Sequence, residues 1–260
     1  MCLIAFDYRP GTAITLRLVA NRDEFHPRPA APLAAWSDAP EIIGGRDLEA
    51  GGSWLAVHRR GRFAAVTNVR DPALEVAPGA PSRGQLVREA LECPDLEAWL
   101  RHLASGAGWR YAGFNLLAGD GERLWHVHRG RHQLLLSPLS PGIHGLSNAT
   151  LNTPWPKLIT ARQGVATALR RSWPQDALAA LAETTPAADA QLPDTGVGLE
   201  LERTLSSPFI TGERYGTRAT TWLTWQAHSG IIEIGERRFG PGGRELGSRQ
   251  ESIKLALSLC

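Results

Sequence analysis

The sequence predicts an α+β fold in which two antiparallel β-sheets pack face to face and helices cover their outer faces. Strand-like and helix-like segments come in blocks, and they lack the regular alternation of a parallel βαβ protein. The 260 residues are 43% hydrophobic and 21% charged, a composition typical of a globular protein with a sizeable core. We find no internal repeat and no domain boundary, so we expect one domain over residues 1–239 and a tail, 240–260, of undefined structure.

The first seventy residues are predicted to form strands separated by turns. Residues 3–8 and 13–20 have the apolar character of paired strands, and Pro10-Gly11 lies between them as a turn. A hairpin centred there pairs residues whose numbers sum to about 21–23. We therefore expect Cys2 to lie opposite about residues 19–21, beside the start of the polar quartet Asn21–Glu24. Pro27, Pro29 and Pro32 then predict a loop, because proline lacks the N–H donor that a sheet interior needs.

The rest of the domain alternates between strand blocks and helix blocks. Strands are expected at residues 41–45, 53–58, 63–68, 113–118, 123–129, 132–136, 142–146, 220–226 and 230–234. Helices are expected at residues 84–92, 94–105, 155–171 and 175–182. Thr153 is predicted as the N-cap of the third helix, with Pro154 in its first position. The segment 186–198 is rich in Pro, Gly and Asp and predicts a surface loop.

Charge and cysteine content exclude several classes of partner. A net charge of +2 is too small to indicate nucleic acid or a membrane surface as partner. The odd set Cys2, Cys93 and Cys260 argues against a disulfide framework and favours a reducing, cytoplasmic location. We see no secretory signal and no apolar run of the roughly 18 residues that a membrane span requires. The sequence does not indicate the oligomeric state.

Cys2 is the first candidate for chemistry. If Met1 is removed, the chain begins with a cysteine whose thiol and free α-amine share one Cα. An α-amine with a pKa of about 7.7–8.0 is partly neutral near pH 7 and can act as a base for the thiol. Taken alone, such a residue is more often an incidental buried cysteine.

Polar residues that end predicted strands are the other candidates. In the quartet Asn21–Glu24, Arg22 can lower the pKa of a neighbouring thiol and Asp23 can orient the terminal ammonium. The same quartet also suits a solvated strand end. Asn68 and Asn148 each follow an apolar strand, where an amide can donate to an oxyanion or simply close a turn. Arg218 opens the last hairpin and can bind a carboxylate or phosphate.

Taken together, these segments resemble one family, the NRDE family, which is also called the transport and Golgi organisation protein 2 family. The matching segments run in order through residues 1–239: Met1-Cys2-Leu3-Ile4, Asn21-Arg22-Asp23-Glu24, Gly51-Gly52-Ser53-Trp54, Thr67-Asn68, Leu146-Ser147-Asn148, Thr153-Pro154-Trp155-Pro156-Lys157 and Tyr215-Gly216-Thr217-Arg218. The family is similar in layout to N-terminal nucleophile hydrolases of the choloylglycine and penicillin-acylase type. The resemblance implies a four-layer αββα sandwich.

The resemblance also implies roles for individual residues. Cys2 would be the nucleophile, Arg22 and Asp23 would support its thiol and amine, and Asn68 and Asn148 would donate to the oxyanion. Arg218 would be a second cationic residue at the same site, in addition to Arg22. Members of the family are associated with lipid and acyl-CoA metabolism, haem trafficking, and Golgi and mitochondrial phenotypes, and the family has no settled reaction.

Two functions follow as hypotheses. The first is hydrolysis of an amide or thioester, of an acyl-CoA or lipid-related kind, through an acyl-Cys2 intermediate that requires no cofactor or metal. The alternative is a non-catalytic protein that binds and traffics haem or a lipid-like acyl-CoA. Weak signals for haem are His126 and His128, which share one face of a predicted strand, and Cys93-Pro94, which more often only marks the start of a helix. A purely structural protein has no positive support.

Overall fold

The computed structural model describes residues 2–255, which form two antiparallel sheets and five α-helices. The strands are β1 (Cys2–Tyr8), β2 (Leu16–Phe25), β3 (Ala30–Trp36), β4 (Ala39–Asp47), β5 (Leu55–His58), β6 (Arg62–Asn68), β7 (Phe114–Gly119), β8 (Leu124–Arg129), β9 (Leu134–Pro138), β10 (Gly142–Leu146), β11 (Tyr215–Gln226), β12 (Ile231–Phe239) and β13 (Glu245–Lys254). The helices are α1 (Gly84–Glu92), α2 (Leu96–Ala104), α3 (Pro156–Ala168), α4 (Gln175–Leu181) and α5 (Leu199–Thr204).

Three apolar clusters build a four-layer αββα sandwich, which confirms the expected fold class. The first sheet has the strand order β10-β1-β2-β11-β12-β13, and the second runs from β3 to β9 in chain order. Residues such as Phe6, Leu18 and Phe63 meet between the sheets. Helices α1 and α2 cover the outer face of the second sheet. Helices α3 and α4 cover the outer face of the first sheet. Burial on both faces explains why most strands here are nearly continuous apolar runs.

The connection between the first two strands is longer than the predicted turn at Pro10-Gly11. Strand β2 begins at Leu16, so seven residues join the two strands, and Arg9 N–H donates to Thr15 O at 2.8 Å. Cys2 consequently pairs with Arg22 and not with residues 19–21. A seven-residue connection moves the centre of pairing toward the C-terminus, and this places Cys2 directly beside the polar quartet.

The proline-rich loop was predicted too long. Strand β3 includes Pro32, but β3 is an edge strand of the second sheet, and its pairing with β4 breaks between Ala31 and Ala34. Proline is tolerated at such a break because no ladder hydrogen bond needs its missing N–H.

The end of the chain is more ordered than the sequence indicated. Strand β12 continues to Phe239, and β13 pairs with it as the edge of the first sheet, so part of the presumed tail 240–260 belongs to the sandwich. Residues 256–260 lie outside the described part. Helix α5 follows the predicted loop, and α3 begins at Pro156, so Thr153 is not its N-cap. Within residues 2–255, no helix is long and apolar enough to cross a membrane.

Candidate active site

The start of β1 and the end of β2 meet at one end of the sandwich and border a cavity of about 420 Å³. Cys2, Arg22, Asp23 and Asn68 all line this cavity. Cys2 and its cross-strand neighbour Arg22 belong to the first sheet, whereas Asn68 ends β6 of the second sheet. The structure therefore brings four of the six predicted site residues to one place.

The Cys2 thiol is half-buried, and its surroundings hold it in the neutral form. Burial is the largest influence, and it raises the pKa of the thiol. The Asp23 carboxylate raises the pKa further, whereas the Arg22 guanidinium lowers it. Arg22 thus acts in the expected direction without making the thiol acidic. A base must therefore take the proton if Cys2 is to attack a carbonyl.

Arg22 is held in place by an aromatic ring. Its side chain is only 5% exposed, and its guanidinium carbon lies 4.4 Å from the centre of the Trp54 ring. A cation over a tryptophan face is stabilised by roughly 0.5–2 kcal/mol. The Asp47 carboxylate is 3.8 Å away and balances the charge. These contacts keep the cation beside Cys2.

Glycine is required at position 52, before Trp54, because the backbone there packs directly against the backbone at the start of α1. A Cβ on Gly52 would lie 2.3 Å from the carbonyl carbon of Gly84, at the start of α1. Ser53 N–H donates to Gly84 O at 3.1 Å, and Ser53 Oγ donates to Gly45 O at 2.7 Å. Only glycine allows this approach, which aims Trp54 toward Arg22.

Asp23 is buried and belongs to a polar cluster behind Cys2. Thr217 Oγ1 donates to Asp23 Oδ1 at 2.7 Å, and the carboxyl is 1% exposed. Burial raises the pKa of Asp23, and the nearby Lys157 charge opposes this most strongly. Arg70 lowers the same pKa, and its own side chain pairs with the buried Glu202 at 2.5 Å. Positive groups therefore favour the charged form of Asp23.

Lys157 is a residue of this cluster that the sequence analysis did not single out. It lies in the first turn of α3, is 2% exposed, and its Nζ has no hydrogen-bond partner among residues 2–255. Burial lowers the pKa of Lys157 to about 8, while Asp23 and Cys2 raise it. The signal was present in Trp155-Pro156-Lys157, because a proline at the first helical position leaves the next side chain at the helix entrance.

Asn148 is fully buried but does not line the Cys2 cavity. Its Nδ2 donates to Asn68 O at 2.9 Å, and its Oδ1 accepts from Ser147 Oγ at 3.2 Å. Ser147 Oγ also lies 3.3 Å from Cys2 O, and Thr67 Oγ1 donates to Ser147 O at 2.6 Å. Asn148 thus ties the end of β10 to the end of β6 through one N–H of its amide.

Arg218 stands apart from the cavity with Cys2. Its Nη1 donates to Phe25 O at 2.8 Å and to Arg28 O at 2.9 Å. The pairing of β11 with β2 breaks at Arg218, between Thr217 and Ala219. Through these contacts Arg218 holds the turn between β2 and β3. Arg218 and Arg22 border a second, small cavity, and Arg22 also lines the cavity that contains Cys2.

The two histidines considered as ligands share one amide. His126 Nε2 and His128 Nδ1 lie 3.0 Å and 2.8 Å from Asn115 Oδ1. Asn115 Nδ2 donates to Ala149 O at 2.8 Å, so the amide oxygen accepts and both rings donate. Burial lowers the pKa of His126 to about 3 and also lowers that of His128. Neither ring borders the Cys2 cavity, but His128 borders a separate cavity of about 520 Å³.

Cys93 has local contacts that suit a helix end. It is the C-cap residue of α1, its sulfur donates to Ala90 O at 3.3 Å, and Arg62 Nη1 lies 3.4 Å from that sulfur. No group of three or more His, Cys, Asp or Glu in residues 2–255 is arranged to hold a metal ion.

Comparison with solved structures agrees with the architecture. The chain resembles the crystal structure of a C2A mutant of conjugated bile acid hydrolase from Clostridium perfringens, with a TM-score of 0.52 and 9% identity. The match covers 97% of this chain and 92% of that one. At this identity the likeness concerns the fold alone, which is that of the N-terminal nucleophile hydrolases.

Sequence comparison then identifies the family. The family model described as "Transport and Golgi organisation 2" matches residues 1–241. The "Transport and Golgi organization protein 2 homolog" of Bos taurus is 37% identical over 261 residues, covering 91% of this chain and 92% of the relative. The Homo sapiens homolog has the same identity and coverage. The chain belongs to the transport and Golgi organisation 2 family, as the ordered motifs predicted.

Proposed function

We propose that this protein is a hydrolase that cleaves an amide or thioester through an acyl intermediate on Cys2. The observation that carries the proposal is the position of the Cys2 thiol in a cavity of about 420 Å³ that Arg22, Asp23 and Asn68 also line. A nucleophile, a cation, a buried carboxylate and an amide donor are the groups that acyl transfer requires. The fold shared with an enzyme named conjugated bile acid hydrolase supports the same reaction class.

The first step is formation of the acyl-enzyme. After removal of Met1, the α-amine of Cys2 takes the thiol proton as the sulfur attacks the substrate carbonyl. The tetrahedral oxyanion accepts a hydrogen bond from the Asn68 amide. Collapse breaks the bond to the leaving amine or thiol, which takes the proton back from the α-ammonium. Because burial raises the pKa of the thiol, proton removal accompanies attack.

The second step releases the acid. A water molecule gives a proton to the α-amine and attacks the thioester carbonyl of acyl-Cys2. The intermediate collapses with loss of the thiol, which regains its proton, and the carboxylic acid leaves. Asp23 holds the α-ammonium that forms in each step, and Arg22 stabilises negative charge on sulfur. Asn148 acts by fixing the backbone carbonyl of Asn68, to which its amide donates a hydrogen bond.

The test is alkylation of the native protein with iodoacetamide across a pH series, read by peptide mass spectrometry. We expect an N-terminal peptide that begins at Cys2. Because the α-amine takes the thiol proton, we also expect faster labelling at Cys2 than at Cys93 at each pH of the series. Cys93, whose thiol pKa is also raised by burial, is the internal reference. A chain with a short extension before Met1 is the matched control, because it lacks the α-amine on Cys2.

The outcomes are distinct. Labelling of Cys2 that is fast only in the processed chain, with acyl transfer from thioesters that Cys2→Ala abolishes, would support the proposal. Retention of Met1, or labelling of Cys2 no faster than of Cys93, would contradict it. So would a Cys2→Ala variant that hydrolyses its substrate normally.

We also propose, as a second candidate, a carrier of haem or of a lipid-like acyl-CoA on the same fold. The observation in its favour is the separate cavity of about 520 Å³ that His128 and Trp155 border. A Cβ on Gly130, which also borders this cavity, would lie 2.8 Å from His128 Nε2, so glycine keeps that nitrogen accessible. Saturable haem binding that His128→Ala removes and Cys2→Ala retains would favour the carrier; the absence of any saturable spectral change would exclude haem.

A further inference from the structure

Arg83 is a cation of the Cys2 cavity that the proposed acyl transfer does not use. It immediately precedes α1 and lines the cavity together with Ser82 and Gly84. Among residues 2–255 its only hydrogen bond is from Nη1 to Gly113 O, at 3.1 Å, and it makes no ion pair. A guanidinium has five N–H donors in a planar fork, so most of its hydrogen-bonding capacity is left over.

The other arginines of the cavity are already compensated. Arg28 forms salt bridges with two carboxylates, Asp47 at 2.7 Å and Glu49 at 2.9 Å. Arg22 is covered by the Trp54 ring and shares Asp47. Arg83 is consequently the cavity arginine to which the described chain offers no carboxylate partner.

Arg83 lies within electrostatic reach of the nucleophile. Burial lowers the pKa of Arg83, and the group whose negative charge, as a thiolate, most opposes this shift is Cys2. Glu24 also lines the cavity and acts on Arg83 in the same sense, but no ion pair joins the two within residues 2–255. Its Oε1 accepts from Phe25 N–H at 2.9 Å. An anion that enters the cavity is therefore attracted by Arg83 and repelled by Glu24.

We infer that the cavity binds substrates that carry a carboxylate on the same molecule as the reactive carbonyl, with the carboxylate at Arg83 and the carbonyl at Cys2. This inference rests on the proposed hydrolase and names its substrate class. An arginine fork binds a carboxylate through two parallel hydrogen bonds, which fixes orientation as well as affinity. Once so held, the reactive carbonyl is placed against a thiol in the same cavity, and this is the positioning that accelerates acyl transfer.

Two alkylating probes test the inference without knowledge of the substrate. Iodoacetate and iodoacetamide react with a thiol by the same displacement of iodide, and they differ in whether the reagent carries a carboxylate. The measured quantity is the rate of labelling of Cys2 by iodoacetate divided by its rate of labelling by iodoacetamide. Changes in the reactivity of the thiol cancel in this ratio. We expect R83Q to lower this ratio by about 5- to 10-fold, in proportion to one charge-assisted contact. R83K keeps the charge but loses the fork, so it should retain part of the ratio, and E24Q should raise the ratio.

The matched control is the double variant R28Q/E49Q, which removes an arginine of the same cavity together with a carboxylate that it pairs with, so the net charge of the cavity is unchanged. We expect R28Q/E49Q to change the ratio by less than about twofold, because an ion pair is lost and not an uncompensated cation. Circular dichroism and thermal melting establish that each variant is folded. If R83Q itself fails to fold, R83K takes its place. A fall of the ratio in R83K together with a rise in E24Q would support the inference, and no change in either variant would overturn it.

Each result has one meaning. An unchanged ratio in R83Q, or equal falls in R83Q and R28Q/E49Q, would overturn the carboxylate site, while rapid labelling by iodoacetamide would leave the hydrolase standing. Failure of both reagents to label Cys2 in the folded protein would overturn the hydrolase, and the inference with it. A fall confined to R83Q, with a rise in E24Q, would support the inference.

Discussion

Lys157 offers a prediction whose size follows from the structure. Its ammonium is 2% exposed, and burial lowers its pKa from an ordinary 10.5 to about 8. One pH unit corresponds to 1.36 kcal/mol, so the folded protein loses about 3 kcal/mol of stability by keeping Lys157 protonated. Asp23, Cys2 and Glu202 favour the charged form and Arg70 opposes it. Their combined effect does not cancel the cost of burial.

The sign of the pH dependence follows from linkage. Between about pH 8 and pH 10.5 the unfolded chain binds the Lys157 proton more tightly than the folded protein does, so stability rises with pH in this window. Below pH 8 the cost is fully present. Lys157→Met keeps the length of the side chain and removes the titration. The free energy of unfolding of the parent, minus that of the variant, should therefore rise by about 3 kcal/mol across the window.

The assay is urea denaturation at intervals from about pH 6 to pH 10.5. Both chains carry Cys2→Ser, because the thiol would otherwise titrate in the same range. The sequence contains one other lysine, Lys254, which is exposed, so Lys254→Met is the matched control. A parent-to-variant difference that stays constant within about 0.5 kcal/mol would refute the argument that Lys157 is charged and poorly compensated.

Three further changes test other parts of the site. Gly52→Ala places a methyl group 2.3 Å from the backbone of Gly84, and it should cost about 1–3 kcal/mol of stability in urea denaturation. Near-normal stability would contradict the close approach. Asn148→Ala removes a fully buried donor to a backbone carbonyl and should cost about 1–3 kcal/mol, also measured in urea. Arg22→Gln removes a cation that lowers the pKa of Cys2, so the midpoint of iodoacetamide labelling should move to higher pH. An unmoved midpoint would mean that Arg22 has no electrostatic role at the thiol.

Much of the fold could be predicted because its signals are local. The helices at 84–92 and 175–182 were expected within a residue of α1 and α4, since apolar periodicity and proline or glycine boundaries specify them. Strand β13 was missed because its residues are polar and mostly exposed, and it is held by pairing with β12 and not by a buried face. Pro32 misled the prediction because an edge strand with a register break tolerates proline.

The candidate site could also be predicted only in part from the sequence. The resemblance to the family implied that Cys2, Arg22, Asp23 and Asn68 share one site, and all four line one cavity. Asn148 and Arg218 do not line that cavity, and their side chains donate to backbone carbonyls. No feature of a linear sequence distinguishes an amide that faces a cavity from one that ties two strands together.

By itself, the sequence determined the family, the sandwich of two sheets and the residue types gathered at one end of it. Those properties depend on apolar patterning and on short motifs, which act over neighbouring residues. Only the tertiary structure decided which charges are compensated. It buried Lys157 beside Asp23, left Arg83 without a carboxylate in the described chain, and raised the pKa of the Cys2 thiol. Burial and pairing arise from residues far apart in the chain, and they set the energy of a charge far more than its residue type does.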